Sequence, residues 1–193
     1  MIILASSSPR RQELLRQINC DFRCITSNVV EEAGFGKLPQ TIVTNNALAK
    51  AMSVAKQYPN EVVLGADTIV AMQKNIYGKP VDRNAAIEML KSLSGKYHEV
   101  YTGLALINKG KSWCEVEKTR VKFATLTESE ITDYIDTGEP FDKAGAYAIQ
   151  GLAAMFVEEI EGCYTNVVGL PLHRFMKLLQ KAGIDWKWQG LKH

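Results

Sequence analysis

Apolar runs alternate along the chain with segments of helical periodicity. A short apolar run at residues 2–5 predicts a buried strand, and helical periodicity follows over residues 10–18. Residues 62–70 begin with three large apolar side chains, which predicts a central strand buried on both faces. From residue 97 to 126, apolar and polar positions alternate and break at an Asn-Lys-Gly turn. This alternation predicts two long antiparallel strands joined by a hairpin.

Further periodic segments complete a mixed pattern of helices and strands. Asp82 precedes one helical segment as its cap, and a capping box formed by Thr127 and Glu130 opens another. Two short strands are expected at residues 22–27 and 154–160, with a loop at 31–36 and a turn-rich connection at 75–80. Helices are predicted at residues 41–58, 83–93, 127–137 and 171–182. The sum predicts an α/β protein with a substantial antiparallel component.

Composition excludes several classes of protein. The 193 residues are 46% hydrophobic and 23% charged, which is typical of globular proteins of one large domain or two small ones. The net charge of +2 is scattered, which argues against a nucleic-acid partner. No run approaches the roughly 18 consecutive apolar residues of a membrane span. The N-terminus lacks the basic region and apolar length of a signal peptide, so we expect a cytoplasmic protein.

The four cysteines do not indicate a metal or redox site. None of them forms a CxxC pair. Cys20 and Cys24 lie four residues apart on a predicted strand, so we expect them to share one face as small core residues.

The first loop has the residue types of an anion site. Pro9 fits the first position of the predicted helix, which makes Ser8 the expected N-cap. A helix N-terminus offers backbone N–H groups to an anion, and Ser6, Arg10 and Arg11 add further donors. The pattern predicts a phosphate site. The alternative is an ordinary capped helix with two surface arginines.

Asp67 is an acid inside a strongly apolar strand, between small neighbours. Such a carboxylate is costly unless it is paired, bound to a metal or directed into a cleft. We therefore expect a functional acid, the alternative being a strand-end carboxylate that faces solvent.

Three more charged residues and one loop are candidates for the same site. Pro80 favours an extended conformation for Lys79, and on charge grounds Lys50 could serve a phosphate and Glu31 a metal. Residues 138–151 combine glycines with polar and aromatic side chains, which is typical of a ligand-wrapping loop. An ordinary loop with a short helix remains the alternative.

Several common catalytic motifs are absent from the sequence. It contains no GxxxxGK[ST], no GxGxxG after a strand and no HExxH, and its three histidines are dispersed. A Ser-His-Asp hydrolase and a histidine-rich zinc site are therefore poorly supported. Carboxylates with Mg²⁺, together with Lys and Arg side chains, match the remaining residues and suit phosphoanhydride chemistry.

Five segments together resemble the Maf-like nucleoside triphosphate pyrophosphatases. They occur in the family's order, and the resemblance runs from Ile2 to about Ala182. The segments are Leu4-Ala-Ser-Ser-Ser-Pro-Arg-Arg11, Gly65-Ala-Asp-Thr68, Gly78-Lys-Pro80, Asp142-Lys-Ala-Gly-Ala-Tyr-Ala-Ile-Gln-Gly151 and Asn166-Val-Val-Gly-Leu-Pro171.

The resemblance implies a fold and an activity. The fold would be an elongated mixed central sheet flanked by helices, with two lobes around a cleft, in a single Maf/ITPase-like domain over residues 1–193. The activity would be metal-dependent hydrolysis, with Mg²⁺ or Mn²⁺, of a nucleoside triphosphate to the monophosphate and pyrophosphate. The variants at Ala66-Asp-Thr68 and in the loop resemble the branch that acts on dTTP and UTP. A homodimer is a further family expectation.

The resemblance also implies roles for individual residues. Asp67 matches the catalytic acid that accepts a proton from water. Together with Glu31, the candidate metal ligand on charge grounds, it would hold the metal. Positions associated with substrate choice are Arg10, Thr68 and Gln150. Other cleft positions are Ser6, Arg11, Glu31, Lys50 and Lys79, and of the two adjacent arginines Arg11 is expected to be the phosphate clamp.

Two departures and one rival function accompany this resemblance. Ser7 replaces a usual glycine and adds a Cβ and a hydroxyl close to the presumed phosphate. Ala148 replaces the glycine of the loop motif and would be strained if that position needs a positive φ. The rival is a non-catalytic nucleotide-binding regulator, because the family is also linked to inhibition of septum formation. Asp67 argues against this rival.

Overall fold

The computed structural model describes residues 1–32 and 36–185, and within them a mixed sheet of seven strands organises the chain. The strands are β1 (Ile2–Leu4), β2 (Phe22–Cys24), β3 (Val62–Met72), β4 (Asn75–Tyr77), β5 (Tyr97–Asn108), β6 (Lys111–Phe123) and β7 (Val157–Glu161). Their order in the sheet is β2-β1-β3-β5-β6-β7, and β4 pairs with β3 off this path. Strand β1 is parallel to β2 and β3, and all other pairs are antiparallel.

Helices cover both faces of this sheet. They are α1 (Pro9–Gln17), α2 (Pro39–Ala55), α3 (Arg83–Leu93), α4 (Glu128–Asp136), α5 (Tyr164–Val168) and α6 (Leu172–Lys181). Asp82 caps α3 by accepting from Ala85 N, and the capping box of Thr127 and Glu130 opens α4, as the sequence predicted. Two short 3₁₀ turns, at Glu139–Asp142 and Ala144–Ala146, lie within the glycine-rich loop, and a third, at Leu152–Phe156, follows it. In the part of the chain that the structure describes, no helix has the length and apolar character needed to cross a membrane.

The predicted fold class is confirmed, and several element boundaries are corrected. The strand predicted at 22–27 ends at Cys24, and residues 75–77 of the expected connection form β4, a hairpin with β3. The strand predicted at 154–160 begins only at Val157, because a 3₁₀ turn occupies the preceding residues. Cys20 is buried but Cys24 is exposed. The expectation that they share one face is wrong, because Cys20 lies before the strand begins.

One face of the sheet carries two separate hydrophobic clusters. The α1–α6 cluster joins Leu64 of β3 to Leu15 and Leu178. The α3–α4 cluster joins Val70 of the same strand to Leu90 and residues of α4. Burial of apolar area in each cluster stabilises one end of the elongated sheet.

A pair of threonines separates these two clusters. Thr68 lies between Leu64 and Val70 on the same face of β3, and it pairs in register with Thr102 of β5. Their hydroxyls are 2.9 Å apart. The apolar packing is therefore interrupted at the point where β3 also presents Asp67 on its other face.

Helix α2 packs unusually close to that other face. A Cβ added at Gly65 would lie 2.2 Å from Ala47 O, and one added at Gly103 would lie 2.4 Å from Val43 O. The two glycines thus allow the helix backbone to contact the sheet directly. Because Gly103 pairs in register with Asp67, α2 lies over the carboxylate of Asp67.

Candidate active site

A deep cleft of about 1420 Å³ opens between the first loop, α2, β3 and the glycine-rich loop. Its volume exceeds that of typical drug-sized pockets and leaves room for an extended nucleotide. Eight of the nine predicted site residues line it, namely Ser6, Arg10, Arg11, Glu31, Lys50, Asp67, Thr68 and Lys79.

Asp67 is a buried, paired carboxylate at the wall of this cleft. Its Oδ1 accepts a hydrogen bond from Lys50 Nζ at 2.6 Å, and its Oδ2 accepts one from Asn46 Nδ2 at 3.0 Å. Asp67 is only 4% exposed. The alternative that it faces solvent from a strand end is therefore wrong. The cost of placing an acid in a central strand is offset by one charged and one neutral donor.

Lys50 joins Asp67 to a second carboxylate. Its Nζ lies 2.7 Å from Glu31 Oε1 as well as 2.6 Å from Asp67 Oδ1. Partial burial alone would raise the pKa of Glu31. This effect is outweighed by the hydrogen bond and charge of Lys50 and by the charges of Lys79 and Arg11, all of which lower the pKa. The pKa of Glu31 therefore lies below its ordinary value, and the group is a carboxylate at neutral pH.

Asn46 is a site residue that the sequence prediction missed. It lies one turn before Lys50 on α2, and it is 4% exposed. Its amide donates to Asp67 Oδ2 and contacts both backbone groups of Glu32. The i,i+4 spacing to Lys50 is the one sequence signal that could have drawn attention to it.

Arg11 holds the cleft wall together. Its Nε donates to Gly169 O at 2.8 Å and its Nη1 to Ala66 O at 3.0 Å. Further bonds run from Nη1 to Ser6 Oγ and from Nη2 to Thr68 Oγ1. Four of the five guanidinium donors thus face protein acceptors within the described residues, which leaves at most one for a phosphate. Arg11 was expected to be the phosphate clamp, but this geometry favours a structural role for it in the cleft wall.

The start of α1 differs from the prediction in one detail. Ser8 is the N-cap and Pro9 the first helical residue, as expected. The Ser8 side chain makes no capping bond, however, and Ser6 Oγ accepts from Ser8 N at 3.2 Å instead. Helix N-termini leave their first amides without intrahelical partners. Ser6 and the α1 N-terminus therefore form one polar corner of the cleft.

Two cations lie at more accessible positions of the cleft. Lys79 is exposed and Arg10 is half-buried. Partial burial raises the pKa of Asp142, but the hydrogen bond and charge of Lys143, with the charge of Arg10, lower it below its ordinary value. Arg10 is thus electrostatically linked to the glycine-rich loop on the facing wall.

The two departures from the family motifs cause no backbone strain. Neither Ser7 nor Ala148 is among the described non-glycine residues with positive φ, so the condition under which Ala148 would be strained is not met. The left-handed residues of that loop are Gly145, at φ +70°, and Ala146, at φ +60°. Ser7 is exposed and lines the cleft, where its hydroxyl adds a polar group.

Gln150 does not reach the cleft wall. Its side chain is exposed, and its neighbours Ala148 and Ile149 line the cleft instead. The predicted link between Gln150 and substrate choice stays a prediction.

The two carboxylates fit a divalent cation. Asp67 and Glu31 both contact one ammonium, so they converge on a single point. The described residues contain no group of three or more His, Cys, Asp or Glu side chains arranged to hold a metal. Mg²⁺ commonly binds one or two carboxylates and completes its shell with water and substrate phosphates. The donor set fits that pattern.

Comparison with known proteins finds one family model and several relatives that match almost the whole chain. Residues 1–182 match the model of the Maf-like protein family. The chain is 50% identical over 182 residues to the dTTP/UTP pyrophosphatase of Geobacillus sp. (strain WCH70), covering 94% of this chain and 98% of that protein. It is 49% identical over 186 residues to the dTTP/UTP pyrophosphatase of Pelotomaculum thermopropionicum, covering 95% and 97%.

The fold has a counterpart among solved structures. The Staphylococcus aureus Ham1 protein superposes with a TM-score of 0.52 at 12% identity, covering 94% of this chain and 98% of that one. At this identity the likeness concerns the fold alone. Because the family model matches nearly its whole length, this chain belongs to the Maf-like protein family.

Proposed function

We propose that this protein hydrolyses dTTP and UTP to the nucleoside monophosphate and pyrophosphate. The observation that carries the proposal is the buried Asp67 carboxylate, held by Lys50 and Asn46 at the wall of a large polar cleft. The activity named for relatives about 50% identical to this chain supports the same conclusion.

The reaction is attack by water on the α-phosphorus. The water oxygen forms a bond to the α-phosphorus, the bond from that phosphorus to the bridging β-oxygen breaks, and pyrophosphate leaves. Asp67 orients the water and accepts its proton. Asn46 and Lys50 each bond one oxygen of the Asp67 carboxylate.

Cations and hydroxyls of the cleft stabilise the charge on the phosphates. Arg10 and Lys79 are accessible enough to contact the triphosphate directly, and Lys50 lies next to the catalytic carboxylate. Ser6 and the α1 N-terminus supply further donors. Arg11 donates to the hydroxyls of Ser6 and Thr68 and keeps these two side chains in place.

The proposed cofactor is Mg²⁺ or Mn²⁺, held by Asp67 and Glu31. When bound, such a cation would act as a Lewis acid on the phosphate oxygens and lower the pKa of a bound water. Mg²⁺ is typically completed by substrate oxygens, so two protein carboxylates suffice.

Finer features of the proposal rest on the family resemblance. We include Arg10, Thr68 and Gln150 as positions of substrate choice, and CTP or modified pyrimidine nucleotides as further candidate substrates. A cytoplasmic location, a house-cleaning role, a homodimer and a single domain over residues 1–193 belong to the same proposal.

A panel of nucleoside triphosphates with Mg²⁺ or Mn²⁺ tests this function. We expect stoichiometric pyrophosphate and monophosphate from dTTP and UTP, with little turnover of purine triphosphates. Omission of the metal or addition of a chelator should abolish the turnover. Tight binding of the triphosphates without release of pyrophosphate would overturn the proposal and favour the non-catalytic regulator.

A further inference from the structure

Asn46 uses its whole carboxamide inside the site. Its Nδ2 donates to Asp67 Oδ2 at 3.0 Å and to Glu32 O at 3.4 Å, and its Oδ1 accepts from Glu32 N at 2.9 Å. The residue is 4% exposed. Both N–H groups and the carbonyl oxygen are therefore committed at once.

These bonds connect three separate parts of the molecule. Asn46 lies on α2, Asp67 lies in β3, and Glu32 belongs to the segment that follows β2. Glu31, next to Glu32, contacts the same Lys50 ammonium as Asp67. One amide thus links the backbone beside one carboxylate to the side chain of the other.

We propose that Asn46 is a positioning residue for the hydrolytic reaction. It fixes the orientation of the Asp67 carboxylate and sets the distance between Asp67 and Glu31. This inference rests on the proposed function, and it adds a residue that acts through the carboxylate of Asp67.

The chemistry of an amide suits this role. Lys50 binds Oδ1 of Asp67 and Asn46 binds Oδ2, so both oxygens are restrained. Each carboxylate oxygen has two lone pairs, so one on each oxygen remains available for water or a cation. An amide N–H is neutral and does not titrate, so it restrains the carboxylate without competing for its proton.

Two variants separate the two links of Asn46. Asn46→Leu is close in size and removes both links. Asn46→Asp is nearly isosteric and keeps an oxygen acceptor for Glu32 N–H. It removes the donor to Asp67 and places a second carboxyl group beside it. Thr41→Leu is the matched control, because Thr41 is exposed on the same helix and does not line the cleft.

The experiment measures kcat and KM for dTTP with Mg²⁺, the thermal midpoint, and the exchange rate of the Glu32 backbone amide by NMR. We expect Asn46→Leu to lower kcat roughly 10- to 100-fold, with KM changed by less than about threefold. Its Glu32 amide should exchange faster, because the acceptor is gone. Asn46→Asp should lower kcat similarly while Glu32 stays protected, and Thr41→Leu should match wild type in all four measurements.

Several results would overturn the inference. One is an Asn46→Leu enzyme with kcat within about twofold of wild type, and another is a loss that vanishes once rates are corrected for the folded fraction. If Asn46→Leu does not fold, Asn46→Asp decides, and wild-type kcat in that variant refutes the link to Asp67. A wild-type protein that releases no pyrophosphate would instead refute the proposed function itself.

Discussion

The carboxylate of Asp67 is the residue on which the proposed chemistry depends, and Asp67→Asn tests it. We expect pyrophosphate release to fall roughly 10²- to 10⁴-fold, because the amide cannot accept the proton of water. The fold should persist, since Lys50 keeps its contact with Glu31 at 2.7 Å and is not left as an unpaired buried charge. Circular dichroism and a pyrophosphate assay measure the two effects.

The matched control for this variant is Asp133→Asn. Asp133 is exposed on α4, away from the residues that line the cleft, so turnover should be unchanged. Near-normal turnover in Asp67→Asn would remove Asp67 from the role of proton acceptor.

His98 gives the protein a specific sensitivity to acid. The imidazole is 1% exposed, and its Nε2 is 2.8 Å from the Tyr147 hydroxyl. Burial lowers its pKa to about 4. Because the unfolded chain takes up this proton at a higher pH than the folded one, stability falls as the pH drops from about 6.5 towards 4.

His98→Gln should remove this part of the acid sensitivity. Between pH 7 and pH 5, the wild type should lose about 2 kcal/mol more unfolding free energy than the variant, as the pKa difference implies. Urea unfolding at both pH values measures the two losses, each protein serving as its own reference at pH 7. Equal losses in the two proteins would show that His98 is not the responsible group.

At the level of residues, the sequence revealed functional side chains whose polarity conflicts with that of their neighbours in the chain. Asp67 was found because an acid in an apolar strand needs a partner. Asn46 was not, because an asparagine in a helix is unremarkable until the strand beneath it is known. The hydrogen bonds of Arg11 were hidden for the same reason, since their acceptors are backbone oxygens and hydroxyls distant in sequence.

At the level of elements, the contact of α2 with the sheet positions the catalytic group. Gly65→Ala should displace the helix, because the new Cβ would lie 2.2 Å from Ala47 O and 2.9 Å from Ala51 N. Both are backbone atoms, so the strain cannot be relieved by a side-chain rotation. We expect a loss of about 1–3 kcal/mol of unfolding free energy and a fall in kcat, since α2 carries Asn46 and Lys50.

Gly78→Ala is the control for the stability measurement. A Cβ at Gly78 would meet no atom within 4 Å, and the backbone there is not left-handed. Urea unfolding of the three proteins should therefore place Gly78→Ala near wild type and Gly65→Ala well below it. Equal stability of Gly65→Ala and wild type would show that α2 adjusts freely over the sheet.

Elements with strong periodicity or explicit caps were predicted well, whereas short or irregular ones were not. The hairpin of β5 and β6 and the cap at Asp82 follow from local sequence. Strand β4 and helix α5 span three and five residues, which is too short for a periodic pattern to be recognised. Strand β4 forms because β3 extends to Met72 and offers it a partner.

At the level of the whole molecule, the motifs and their order predicted the mixed sheet and its cleft. Local patterns did not predict how the sheet is divided, because that depends on strand register. Thr68 becomes significant only when it pairs with Thr102 between two hydrophobic clusters. The cleft thus occupies the place where apolar packing is interrupted on a continuous sheet.

That continuity predicts a single cooperative unfolding transition. Strand β3 contributes Leu64 to the α1–α6 cluster and Val70 to the α3–α4 cluster, so neither cluster can unfold without exposing a strand of the other. In scanning calorimetry, the calorimetric and van't Hoff enthalpies should agree. Leu178→Ala in one cluster and Leu90→Ala in the other should each lower the same transition, by about 2–5 kcal/mol.

The exposed Leu38→Ala variant is the control for these truncations and should unfold like wild type. Two independent lobes would behave differently. Leu178→Ala would then shift one of two transitions and Leu90→Ala the other, and the van't Hoff enthalpy would fall below the calorimetric value. One shared transition in both variants therefore supports a single domain whose two clusters are joined by the strand that carries Asp67.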